Sequence, residues 1–171
     1  MNSPALNITF RETVDPADPE CIYRLTASCD LFYPEEIVVA RELVEENLIK
    51  GTASGYYFLF AERNGSVVGY TCFGPIPMTR GRFDLYWIAV HKNLQGTGIG
   101  KLLMELTESR IQELDGRRIY VETSSRKIYE PTHRFYHVCA YRTEAVLKDF
   151  YAAGDDKVIY LKVVSNQKAD G

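Results

Sequence analysis

Residues 84–110 read DLYWIAVHKNLQGTGIGKLLMELTESR, and this stretch decides how the chain is interpreted. Leu85 to Val90 is an apolar run that suits a strand inside a sheet. A glycine-rich turn follows, Gln95-Gly96-Thr97-Gly98-Ile99-Gly100, and a helix is predicted from about Gly98, carrying Ile99, Leu102, Leu103, Leu106 and Leu114. Glycines at 96, 98 and 100 clear side chains from the start of that helix. Its first amide N–H groups have no intrahelical acceptor and stand at the positive end of the helix dipole, so a phosphate is the favoured guest.

Two familiar phosphate loops fail here. A nucleoside-triphosphate loop needs Gly-x4-Gly-Lys-[Ser/Thr]. Gln95 stands where its first glycine belongs, and Leu102 where its magnesium-binding hydroxyl belongs. A dinucleotide fingerprint needs Gly-x-Gly-x-x-Gly after the first strand of a βαβ unit. Lys101 occupies its third glycine position, and the turn comes after several predicted strands. A third pattern, Gln/Arg-x-x-Gly-x-Gly/Ala, is met by residues 95–100.

Working outward, Ile8 to Arg11 reads as a short strand. Asp18-Pro19 starts a helix with Ile22, Leu25 and Cys29, and Pro34 opens a second with Ile37, Ala40, Val44 and Leu48 on one face; Gly51 stops it. Tyr57–Ala61 and Val67–Thr71 flank Asn64-Gly65, the preferred pair for a tight hairpin turn. Gly74-Pro75-Ile76-Pro77 breaks the next strand. Arg118–Thr123 reads as a strand, Pro131–Cys139 as a helix, and Tyr141–Lys148 and Val158–Val163 as closing strands joined through Ala153-Gly154-Asp155-Asp156. The polar tail after Ser165 is expected to fray. The order β-α-α-β-β-β-α-β-α-β-β implies an α/β (α+β) mixed sheet with helices on both faces.

At 171 residues, 46% apolar and 25% charged, the chain is expected to form a single domain, residues 1–171. A net charge of −3 argues against a nucleic-acid partner. No apolar run is long enough to span a bilayer, and no secretory signal is visible, so a cytoplasmic protein is expected. Cys21, Cys29, Cys72 and Cys139 form no Cys-x-x-Cys pair beside a histidine cluster, so no metal site is expected and the thiols should be reduced.

The element order, the turn at 95–100 and the segment Arg134-Phe135-Tyr136-His137-Val138-Cys139-Ala140-Tyr141 together resemble the GCN5-related N-acetyltransferase (GNAT) superfamily. That segment is similar to the family's A-x-x-F-Y-x-x-x-G-F, with Thr132, Ala140 and Tyr141 in place of alanine, glycine and phenylalanine. Tyr129 stands where many members carry a cofactor-touching asparagine.

The resemblance implies an acyltransferase moving an acetyl group from acetyl-coenzyme A to a primary amine of a small molecule or peptide, by direct attack in a ternary complex. It implies cofactor contacts at the backbone of Ile88, Ala89 and Val90 and at the amides of Gln95, Gly96, Thr97, Gly98, Ile99, Gly100 and Lys101. Lys101 and Arg134 are further candidates for phosphate contact. Tyr136 takes the general-acid position. Glu122 takes the base position, with Asp84 as its rival and ordered water as a third route. An acceptor site is implied around Leu31-Phe32-Tyr33, Tyr56, Tyr57 and Phe150-Tyr151, with Asp84 also a candidate substrate contact. Homodimers are common in such a family. A non-catalytic coenzyme A-binding module would keep the same turn; intact Tyr136 and Glu122 favour an enzyme.

Overall fold

The computed structural model describes residues 7–164. The strands are β1 (Ile8–Arg11), β2 (Tyr57–Arg63), β3 (Ser66–Pro75), β4 (Arg82–Val90), β5 (Arg118–Ser124), β6 (Arg142–Ala152) and β7 (Asp155–Val163). The α-helices are α1 (Asp18–Ser28), α2 (Pro34–Lys50), α3 (Ile99–Glu113) and α4 (Glu130–Val138). Their order along the chain is the one predicted. The tail after Ser165 lies outside the described residues. The chain divides into two compact units: Met1–Phe73 with Trp87–Glu105, and Gly74–Tyr86 with Leu106–Gly171. Strand β4 and helix α3 each contribute residues to both.

In the first unit the hydrogen-bonded neighbours run β1-β2-β3-β4. The β2–β3 hairpin closes at Arg63↔Ser66 through Asn64 (φ 52°) and Gly65 (φ 75°), the positive pair that a two-residue hairpin turn requires. Strand alternation then sends side chains to two cores. Phe58 and Phe60, with Tyr70 and Cys72, pack against Ile22 and Leu25 of α1 and Ala40 and Val44 of α2. Leu59 and Ala61 face the other way, with Val90, onto Ile99 and Leu103 of α3. Helices thus cover both faces of this unit's strands. Burying each of the larger apolar side chains contributes roughly 2 kcal/mol. Gly69 permits a close approach in this unit: a Cβ there would lie 3.0 Å from Leu103 Cδ1 and 3.2 Å from the Ala89 carbonyl oxygen.

In the second unit the order is β4-β5-β7-β6. Strands β4 and β5 are parallel through Arg82↔Arg118, Phe83↔Ile119 and Asp84↔Tyr120; β5 pairs antiparallel with β7 from Arg118↔Val163 to Ser124↔Lys157. Strand β4 begins at Arg82, ahead of the predicted Leu85, because pairing with β5 depends on backbone groups rather than apolarity. The β6–β7 hairpin closes at Ala152↔Asp155, so its turn is shorter than the predicted loop.

The apolar stripe of α3 also differs from the sequence expectation. Leu102 and Leu106 are exposed, whereas Leu103, Met104, Thr107 and Ile111 are buried. At 3.6 residues per turn, the buried face set by Ile99 and Leu103 passes through Thr107 rather than Leu106.

Candidate functional site

The glycine turn belongs wholly to the first unit. The His91 amide donates to the Val68 carbonyl at 2.8 Å, anchoring the end of β4, and the Leu94 amide donates to the His91 carbonyl. Gly96 (φ 76°) and Gly98 (φ 93°) both adopt backbone that disfavours a side chain, although nothing lies within 4 Å of either modest Cβ position. Their glycines are therefore required by conformation rather than by crowding. Thr97 Oγ1 donates to the Leu94 carbonyl at 2.6 Å. The first helical bond of α3 runs from the Leu102 amide to the Gly98 carbonyl at 3.1 Å. The amides of Ile99, Gly100 and Lys101 thus have no acceptor within the helix.

Gln95 takes a part its motif position does not reveal. Its Nε2 donates to the Val90 carbonyl at 3.1 Å, bracing the turn against the strand end. The same carbonyl accepts from Cys29 Sγ at 3.5 Å, so Val90 presents an acceptor already engaged by the protein. Ile88 is half-buried, while Ala89 and Val90 are buried. Lys101 is exposed and pairs with Glu105 at 3.8 Å. Of the aromatic residues named for the acceptor, Phe32 packs on Trp87 with ring centroids 4.9 Å apart, and Tyr57 stacks on Phe73 at 5.7 Å. Tyr33 is exposed at the start of α2, where its amide donates to Glu36 Oε2 at 2.7 Å.

The titratable groups lie in the second unit. Register and alternation put Ile119, Val121 and Thr123 of β5 with Val158 and Tyr160 of β7 on one, buried face. Asp84, opposite Tyr120, shares the other face with Glu122 and Lys157. The carboxyl with a raised pKa is Asp84. Burial, reinforced by the nearby Glu122 charge and opposed by Lys157, moves it from 3.8 to about 6. Glu122 is half-exposed, and its Oε2 accepts from Lys157 Nζ at 2.7 Å. Lys157 Nζ also stands 3.8 Å from the centroid of the exposed Phe150 ring. Sequence reading singled out both carboxylates and Phe150-Tyr151 but missed Lys157. Its only signal is a place in β7 with the same alternation as Ile159, the register partner of Glu122.

Tyr136 is on the opposite, buried face. Its ring lies 5.3 Å from Tyr160, 5.7 Å from Phe135 and 5.9 Å from Tyr141. Burial pushes its hydroxyl well above the ordinary tyrosine range. His133, on the same helix, fixes Tyr160 in turn. Its Nε2 lies 3.1 Å from the Ser124 carbonyl, which only accepts, so Nε2 carries hydrogen; Nδ1, 2.6 Å away from the Tyr160 hydroxyl, then accepts from it. Desolvation lowers the His133 pKa and favours that neutral ring.

The departure at Ala140 is accommodated by the backbone. Ala140 adopts φ 64°, its amide donates to the His137 carbonyl at 3.0 Å, and the Tyr141 amide donates to the Tyr136 carbonyl at 2.9 Å. This is the helix ending that usually recruits glycine. Arg134 is exposed and Tyr129 buried. Among the described residues no group of three or more His, Cys, Asp or Glu is gathered as a metal ion would require, and no helix is long and apolar enough to cross a membrane.

A glycine turn opening α3 after β4, a parallel β4–β5 pair and a closing antiparallel hairpin define an acyl-coenzyme A N-acyltransferase fold. Sequence comparison agrees: the acetyltransferase (GNAT) family profile matches residues 21–141. The chain belongs to that family, whose acetyl donor is acetyl-coenzyme A. It is similar to an uncharacterized N-acetyltransferase of Methanocaldococcus jannaschii, 31% identical over 153 residues that cover 86% of this chain and 94% of the relative. A GNAT-family crystal structure from Desulfovibrio desulfuricans is 44% identical, with a TM-score of 0.91, covering 92% of this chain and 99% of that one. A Salmonella typhimurium structure, solved with its cofactor acetyl-CoA, shares the fold at 18% identity and a TM-score of 0.73, covering 96% of this chain and 98% of that one.

Proposed function

We propose that the protein transfers the acetyl group of acetyl-coenzyme A to a primary amine of a small molecule or peptide, by direct attack within a ternary complex. The observation that carries this reading is the turn at 95–100. Its positive-φ glycines precede first amides of α3 that have no backbone acceptor among the described residues, as a pyrophosphate site needs. The Salmonella relative, solved with acetyl-CoA, supports the same donor. In this reading the amides of Gln95 to Lys101 hold the pyrophosphate, and the backbone of Ile88 to Val90 pairs with the pantetheine arm and donates to the thioester oxygen.

The acceptor arrives as an ammonium and must lose a proton before its nitrogen has a lone pair. The carboxylate face of Asp84 and Glu122 takes that proton. The amine then attacks the thioester carbon, and collapse of the tetrahedral adduct breaks the carbon–sulfur bond. Tyr136 gives its proton to the departing thiolate and regains one from the second proton lost by nitrogen, so the net release is one proton. Burial keeps Tyr136 protonated throughout the working pH range. Exposed Phe150 and Tyr151, whose rings flank Lys157, suit an amine with an apolar or aromatic body. Four free cysteines fit a cytoplasmic enzyme.

The test begins with thermal shift against acetyl-coenzyme A, coenzyme A, ATP and NAD, followed by an amine screen with thiol detection. Stabilisation by the two coenzyme A species alone, and thiol release with an amine, are expected. Tyr136→Phe keeps the ring contacts and removes the proton, and should lower kcat by about 10²-fold or more. Unchanged turnover in that variant refutes the acid role; thermal shift without thiol release for any amine points instead to a non-catalytic coenzyme A-binding module.

A further inference from the structure

Lys157 is held in an unusual way for a lysine on a sheet face. Its side chain is only 14% exposed, although its partner Glu122 is 50% exposed. An ammonium withdrawn from water must be compensated. Here the Glu122 carboxylate lies 2.7 Å from Nζ on one side, while the Phe150 and Tyr151 rings lie 3.8 Å and 5.8 Å from it on another. Asp84 has no ion-pair partner among the described residues. Of the cations on this face, Lys157 is the one committed to Glu122.

We propose that Lys157 is a positioning residue that engages the Glu122 carboxylate in an ion pair and so leaves Asp84 as the carboxylate that takes the proton from the acceptor ammonium. This inference rests on the acetyl-transfer reading of the same site. On this face the titratable or charged groups are Arg82 and Tyr86 on Asp84's own strand, Arg118, Tyr120 and Glu122 from β5, Lys157 from β7, and Arg142, opposite Leu161, from β6. The raised pKa of Asp84, near 6, agrees with the assignment. A base must be unprotonated at working pH yet basic enough to accept a proton, and a carboxyl near 6 meets both demands better than an ordinary one. Lys157 also keeps the Asp84 value from climbing further, because its charge favours the ionised form.

The signs make the proposal testable without relying on turnover. Carboxyl-¹³C NMR follows the Asp84 titration in the wild type, Lys157→Met, Lys157→Arg and Glu122→Gln. Removing the cation should move the Asp84 midpoint up, and removing the Glu122 charge should move it down, each on the order of one pH unit. Lys157→Arg should restore the wild-type midpoint. The acid limb of kcat/KM should follow the same displacements, and Glu122→Gln should lose far less turnover than Asp84→Asn. An Asp84 midpoint unmoved in both charge variants overturns the proposal, as does loss of turnover in Glu122→Gln with retention in Asp84→Asn. If the midpoints move as expected but the wild type releases no thiol with any amine, the acetyl-transfer reading falls and the proton-accepting role falls with it.

Discussion

Replacing Asp84 with Asn should make the protein more stable and less active at the same time. The carboxyl's pKa is about 6 in the folded chain against an ordinary 3.8, so folding favours its protonated form. The sign follows from proton binding. Below pH 4 the group is protonated both folded and unfolded and costs nothing. Between about pH 4 and 6 the unfolded chain releases the proton while the folded one retains it, and stability falls. Above pH 6 the full cost is present and constant. At about 1.4 kcal/mol per pKa unit the cost is at most about 3 kcal/mol. Asp84 is only half-buried, and solvent screening reduces the figure to about 1 kcal/mol. Asn keeps the shape and cannot ionise. Urea unfolding of both proteins from pH 4 to 8 should therefore give a difference near zero at pH 4, rising to about 1 kcal/mol in favour of the variant by pH 7. The same variant should lose about 10²-fold or more in kcat. A stability difference independent of pH, or a variant less stable than the wild type at pH 7.5, would refute the reasoning. Stability gained by removing a functional carboxylate is the usual signature of a group retained for its chemistry.

Two further outcomes concern the scaffold. Ala140→Gly should raise stability by about 1 kcal/mol in chemical denaturation, because the residue is exposed and already holds φ 64° at the end of α4; no gain would mean that the helix ending carries no strain. Asp18→Ala should cost about 3 kcal/mol, since Asp18 is 1% exposed and accepts from Arg11 Nη1 at 2.7 Å and Nη2 at 2.6 Å. Thermal unfolding would report it, and a loss under about 1 kcal/mol would show that Arg11 is satisfied by Glu62 and the face of Phe60 alone.

The sequence by itself determined the elements, their order and the phosphate turn. These rest on local chemistry: Asn64-Gly65 supplies positive φ, Asp18-Pro19 and Pro34 open helices, and Gly96 and Gly98 adopt backbone that few other residues tolerate. The family resemblance named Tyr136 and both carboxylates for the same reason, because each lies in a short recognisable segment. What only the tertiary structure decided is how those groups differ from one another. Asp84 and Glu122 are similar carboxylates on paper. Burial raises the pKa of Asp84, while a lysine delivered by β7 pairs with Glu122. The exposure of Leu102 and Leu106, the engagement of the Val90 carbonyl by Gln95 and Cys29, and the His133 hold on Tyr160 likewise depend on which residues pairing and packing bring together. Dihedral preference is written residue by residue, whereas desolvation and charge are set by neighbours that are remote along the chain.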